Sequence, residues 1–492
     1  MDLWKSFIGN RDPTDEANQR KSTQVTKPLK SLKRTCVTWI VSHIQTIPTL
    51  DSLPDDIILE LLSYMVGDSR NPLNPHTISL LLRPNMRSLN FSFARRICSP
   101  EIITKVTQCC PYVNELYLHA NPILDDTQLA IFAEHYGKQL VVLDLSKCFN
   151  LTPSSLELIS KMEQLQHLSL RSVNKLNDEC LLKIAQHCKK LVSVNLFHDS
   201  KLSDASLIQL SQQCPNIAFL DLSQLKIQDQ TITEIVKNLP QLKLLQITGC
   251  TNLTTASIDA IANHCPLLEV LNASHVDVTC ESLKNLAAKC NNLRVLLLSR
   301  ARGENIDEGV KSLATHCRGL EGLNLSFQNI TDGSMQHIAN NCNNLIEVSL
   351  AGCTNIQGSF LESLVRNNPN LTTLYLTACT GIHNVYLERM AAAIDLHDNN
   401  LKDLDLSNIA SVQPNAVLQI ANRCSKLMIL DLQGCVEVTP QVVLALAERL
   451  EHLETLDIRG CEKIPTEVIS KARTLRMNLS IYSQPFKVVD QI

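Results

Sequence analysis

The chain reads as an α/β solenoid, a horseshoe of about 15 strand–helix units behind a short N-terminal α-helical segment. Three observations predict this. First, an L-x-x-L-x-L phrase recurs down most of the 492 residues. Taken as aliphatic-x-x-Leu/Val-x-apolar, it begins at Met86, Val113, Leu140, Leu165, Leu191, Ile217, Leu242, Leu268, Leu293, Leu320, Leu345, Leu371, Leu401, Leu427 and Leu453, spaced 25 to 27 residues apart with one gap of 30. Second, each unit alternates apolar and polar residues over the phrase, a half-buried strand, and then steps its apolar residues by three and four, a helix. Third, the residues before Met86 lack the phrase but keep helical spacing.

In chain order, residues 1–26 are polar and mixed in charge and read as a flexible tail. Residues 27–66 form a helical segment. Leu32, Cys36 and Ile40 fall four apart on one helix face that Ser31 is placed to cap. Leu53, Ile57 and Leu61 step likewise along a second helix, with Pro54 suited to its first turn and Asp55 and Asp56 at the positive end of its dipole. Asn71-Pro72 and Asn74-Pro75 mark residues 67–85 as a turn-rich linker into the first unit.

The first helix resembles a BC-box, [S/T/P]-L-x-x-x-C-x-x-x-[aliphatic], matched by Ser31, Leu32, Cys36 and Ile40. The second resembles a cullin box, matched by Leu53, Pro54, Ile57 and Leu61. Together they are similar to the VHL-box of Zyg-eleven-type ubiquitin-ligase substrate receptors. The resemblance implies docking on elongin C with elongin B and on a cullin–RING module. Those receptors carry a further armadillo-like domain, whereas this chain ends soon after its last unit, so their degron preference is not implied. Residues 53–65 also resemble the opening helix of an F-box, which implies the SCF adaptor instead. The bland alternative is that both helices only cover the open end of the solenoid.

The repeats span 86–475. Leu320–Leu345 typifies them: Leu323 and Leu325 face inward, and Thr331 or Asp332 is placed to cap the helix. Met335, Ile338, Ala339 and Cys342 form that helix's buried stripe. The phrase A-x-x-C-x-x-L-x-x-L-x-L-x-x-C, complete at Ala421, Cys424, Leu427, Leu430, Leu432 and Cys435, resembles the cysteine-containing leucine-rich repeat. Residues 476–492 read as a C-terminal cap and tail.

Nineteen cysteines invite a disulfide reading, but 14 fall at two fixed register positions, three residues before a unit or three after its strand. Such columns stack as small buried hydrophobes. The N-terminus has no long apolar run of an export signal, so reduced thiols in the cytoplasm or nucleus are expected.

The net charge of −4 gives no reason to expect nucleic acid or an anionic membrane as partner. No P-loop, HExxH or C-x-x-C pattern occurs, so no enzyme, metal or cofactor is expected. His187-Cys188, His264-Cys265 and His316-Cys317 share one slot of three units, which register explains better than catalysis. The expected activity is capture of a protein substrate on the concave face. Large residues there are Tyr117, His119, Arg171, Phe197, Phe219, Val295, Leu297, Phe327 and Tyr375, with Arg300 and Arg302 at the rim. Asp403, Asp405, Asp431 and Asp457 gather on the last strands. A ligase receptor of the elongin or SCF type is expected, or else a scaffold without a ligase.

Overall fold

A computed structural model describes residues 32–67, 74–92, 100–199, 201–300, 305–394 and 400–483. Three-residue strands, from Ser88–Asn90 to Ser480–Tyr482, form one parallel sheet of 16 strands in strict chain order, every neighbour in register. A helix follows each strand but the last, and the helices pack side by side along the outer face. The chain is a leucine-rich-repeat solenoid.

The period dictates this order. Each unit buries its central strand residue (Leu220, Leu245 and Leu271, for example) only by stacking on its neighbours. One strand lies beyond the fifteen phrases. Ser480–Tyr482 pairs with Thr455–Asp457, and Asn478 holds the opening position where the other units carry an aliphatic residue.

The seventh residue after each unit's first is left-handed in every unit from Ala120 to Gly460, and ten of these residues are not glycine. Each non-glycine costs roughly 1 kcal/mol in that conformation. A hydrogen bond to the next unit offsets it, as in Lys147 N to Arg171 O (2.8 Å), Arg300 N to Ser326 O (2.9 Å) and Phe327 N to Ala351 O (2.7 Å). At Gly352 an added Cβ would stand 2.5 Å from the Phe327 ring, so glycine there leaves the ring its place.

The cap is a three-helix element: α1 (Leu32–His43), α2 (Asp55–Gly67) and α3 (Pro75–Leu81). α3 corrects the reading of 67–85 as linker. Asn74 and Pro75, read as a turn, are the N-cap and first residue of a helix that Thr77 closes into a capping box, and Ile78 and Leu81 are buried. Pro54 lies just before α2, its carbonyl accepting from Ile57 N and Ile58 N. Asp55 and Asp56 do stand in the first turn of α2.

The 14 register cysteines are all buried, and Cys180 joins them. No helix among the described residues is long and apolar enough to cross a membrane.

Candidate functional site

Two surfaces combine exposed apolar or aromatic groups with a rigid support. The first is the outward side of the cap. In α1, Val37 and Val41 face the core, as does Ile44 in the helical turn that follows. The predicted stripe runs one residue earlier, about 100° around the helix. Cys36 is therefore exposed, Ile40 is half-buried, and Trp39 is 59% exposed with His43 stacked on it at 4.5 Å. Ser31 and the Leu32 side chain lie outside the described residues.

In α2 the stripe divides. Pro54 is exposed, and Leu53 and Ile57 are half-buried at the edge of the core. Leu61 is fully buried with Ile58, Leu62 and Met65, so it anchors the helix and presents nothing to a partner, a correction to its placement among the docking residues. Leu59, 48% exposed, faces outward instead. Arg83 ties the cap down by donating to Leu50 O at 2.8 Å.

The second surface is the concave face. Its large residues are organised rather than scattered. The Arg171 guanidinium carbon stands 4.0 Å from the centre of the Phe197 ring, and that of Arg300 stands 4.8 Å from the Phe327 ring. Between these pairs, Phe219, Leu244, Val270 and Val295 occupy one position of four successive in-register strands. With Leu297 they form an apolar cluster separate from the main core. Val295, expected to stand in water, is buried in this cluster, as are Leu244 and Val270, which the sequence reading passed over. Their signal was present: the second residue after each unit's first is apolar in four consecutive units.

Tyr117 and Tyr375 lie outside that centre. Tyr117 donates weakly to Glu115 at 3.5 Å, and Tyr375 to Asp403 at 2.8 Å. Burial lowers the pKa of His119, with Asp144 opposing and Lys147 and Arg171 adding to the fall. Burial likewise lowers that of His167, whose Nδ1 is buried without a partner. The late acidic residues are part of the turns. Asp405 accepts from Ser407 N (2.8 Å), Asp431 from Gln433 N (2.9 Å), and Asp457 pairs with Arg459 (2.6 Å). Arg302 lies outside the described residues.

The His-Cys pairs point apart. His187 Nδ1 lies 2.8 Å from Lys183 O on the exposed side of its helix, and the neighbouring Cys188 thiol is buried and pushed up to about 12 by burial. His316 and Cys317 repeat this geometry. Among the described residues no three His, Cys, Asp or Glu side chains are grouped to hold a metal ion. What both surfaces offer is contact area.

No protein-family profile matches the chain. It is 27% identical over 292 residues to F-box/LRR-repeat protein 4 of Bos taurus, covering 55% of this chain and 45% of that protein. It is 23% identical over 324 residues to GRR1-like protein 1 of Arabidopsis thaliana, covering 61% and 51%. The chain thus spans about half the length, or less, of the curated relatives it matches. Among solved structures it is similar to the crystal structure of the Rad7 and Elc1 complex in yeast, with a TM-score of 0.52 and 18% identity over 92% of this chain and 98% of that one. At that identity the likeness shows the fold.

Proposed function

We propose that this chain is the substrate-recognition subunit of a cullin–RING ubiquitin ligase, working in the cytoplasm or nucleus. The outward face of the cap docks elongin C with elongin B and the cullin. The concave face holds a protein substrate for ubiquitin-dependent degradation. The observation that carries this reading is the division of labour in α1. Val37 and Val41 already cover the end of the solenoid, so capping does not account for Cys36 and Trp39 on the other side. Exposed apolar groups on a rigid helix suit a helix-in-groove contact, in which an aromatic anchor supplies much of the affinity. The relatives named F-box/LRR-repeat and the neighbour crystallised with Elc1 support a receptor role.

A second reading, an F-box-type receptor of an SCF ligase, draws support from α3. Residues that looked like linker add a third helix after α2, and two of the curated relatives carry F-box in their names.

Co-purification separates the readings. The chain is expected to recover elongin C, and Cys36→Asp with Trp39→Ala to cut that recovery at least tenfold, about 1.4 kcal/mol or more, with an unchanged melting temperature. Recovery of the SCF adaptor instead moves the assignment to the second reading. Recovery of neither would leave a scaffold outside any ligase and defeat both.

A further inference from the structure

We infer that the concave face selects an extended protein segment bearing two anionic side chains, one for Arg171 and one for Arg300. This rests on the receptor reading and names its substrate chemistry.

The argument begins at Arg171. Its guanidinium carbon stands 4.0 Å over the centre of the Phe197 ring, and its Nε is buried with no hydrogen-bond partner. Among the described residues no carboxylate stands within ion-pair distance of it. Of the acids whose charge it influences, Asp221 is buried, and that burial favours the neutral carboxyl. A buried donor without an acceptor costs about 1–3 kcal/mol, and a desolvated cation adds to that. An incoming anion at the terminal nitrogens offsets the desolvated charge, so the group contributes more to binding than a solvated lysine would. The phenylalanine ring supports one side of the guanidinium, and its terminal nitrogens are donors suited to the oxygens of a carboxylate or phosphoryl group.

Arg300 repeats the arrangement at the rim. Its left-handed backbone and the glycine at 352 set the guanidinium over Phe327, which is 52% exposed, and no ion pair engages it among the described residues. The two arginines follow strands five apart in the sheet. At about 4.8 Å per strand that is about 24 Å, which an extended segment covers in about seven residues. The units between carry Ser223, Thr248 and Ser274 at Arg171's position of the repeat, and Phe219, Leu244, Val270 and Val295 stand four positions earlier. Two guanidinium groups about 24 Å apart therefore match two acidic positions about seven residues apart on the segment.

Fluorescent peptide pools of about ten residues test this, with two positions about seven apart set to Glu, phosphoserine or Gln and the residues between varied. The Glu or phosphoserine pool is expected to bind at least about tenfold tighter than the Gln pool, and more weakly as salt rises. The tighter of the two anionic pools assigns carboxylate or phosphoryl recognition. Arg171→Gln and Arg300→Gln are each expected to lose about tenfold, with Arg171→Lys intermediate. Should Arg171→Gln fail to fold, the exposed Arg300→Gln carries the test alone. Equal binding of the Gln pool, no binding by any pool, or arginine variants that bind like the parent would overturn the inference. Adaptor recovery is scored separately. A chain that keeps its adaptor yet ignores charge defeats only this inference, and one that binds anionic peptides without an adaptor defeats only the receptor reading.

Discussion

Asp199 stands where seven other units place a side-chain hydrogen-bond donor and four place Val, Leu or Ile. At the eighth residue after the unit's first, the thiols of Cys148, Cys250, Cys353, Cys379, Cys435 and Cys461 each donate to a carbonyl of the preceding strand segment at 3.0–3.2 Å. Gln328 does the same through Nε2, to Leu298 O at 2.7 Å. Burial pushes the Cys148-column thiols upward, Cys250, Cys379 and Cys435 to about 12, so they stay protonated and remain donors. Asp199 is almost wholly buried; its Oδ1 accepts from Val173 N at 2.9 Å, and its Oδ2 has no partner. Burial first, and Asp221 after it, raise its carboxyl to about 9. Because the folded value exceeds the unfolded one, its contribution is fully present below about pH 4 and is lost as pH rises toward 9. Asp199→Asn supplies a permanent donor. It is expected to stabilise the chain by about 1–3 kcal/mol at pH 7.5 and to give little gain near pH 3.5, read as urea midpoints. A lowered midpoint at pH 7.5 would mean that the carboxylate is satisfied. The cysteine columns were legible in the sequence because register alone marks them. Asp199 was legible only as a departure from its column, since nothing in its neighbours announces it.

The helices are joined at their starts by a device that crosses from one unit to the next. Thr331 was expected to cap its own helix, with Asp332 as the alternative. Thr331 sits at the N-cap position but makes no side-chain cap bond; instead it donates to Asp307 of the preceding unit, through N at 2.9 Å and Oγ1 at 2.8 Å. Asp332 accepts from Gln357 N, Gly358 N and Ser359 N of the following unit. Asp126, Asp178 and Asp229 likewise accept from Thr152, Ser203 and Thr254. Burial alone would raise these carboxyls, but the hydrogen bonds outweigh it and hold Asp126, Asp178, Asp229 and Asp307 below the usual carboxylate range. A depressed folded value means that this stability is present above about pH 4 and is lost as pH falls through the folded value. Asp229→Ala, which removes bonds to Thr254 and Ser257, is expected to cost about 1 kcal/mol at pH 7 after solvent screening. That cost should shrink in acid, as denaturant titration at the two pH values would show. A cost that stays constant down to pH 2 would mean that charge plays no part. The sequence displayed the acid and the hydroxyl of each pair. It did not display that they pair between units, because a residue about 25 positions away becomes a neighbour only once the solenoid stacks.

At the scale of the molecule, each unit touches only the units beside it, so stability is close to a sum of nearest-neighbour terms. Leu245→Ala at a fully buried central position should cost about 2–5 kcal/mol. Hydrogen exchange is expected to quicken in its own unit and the adjoining ones and to fade toward both ends. Exchange that quickens equally along the whole chain would show one cooperative block instead.

The repeat phrase determined the fold, the strand order and the burial of the cysteines. These follow from a local period, and a local period is complete within about 26 residues of sequence. Tertiary structure decided which side of α1 meets the core, that Asn74-Pro75 opens a helix, and that Arg171 and Arg300 lie over phenylalanines. It also decided that Val295 belongs to a second apolar cluster. Each of these depends on an angle of rotation about a helix or on an offset between stacked units. Such quantities arise only when separate turns of the solenoid are brought together.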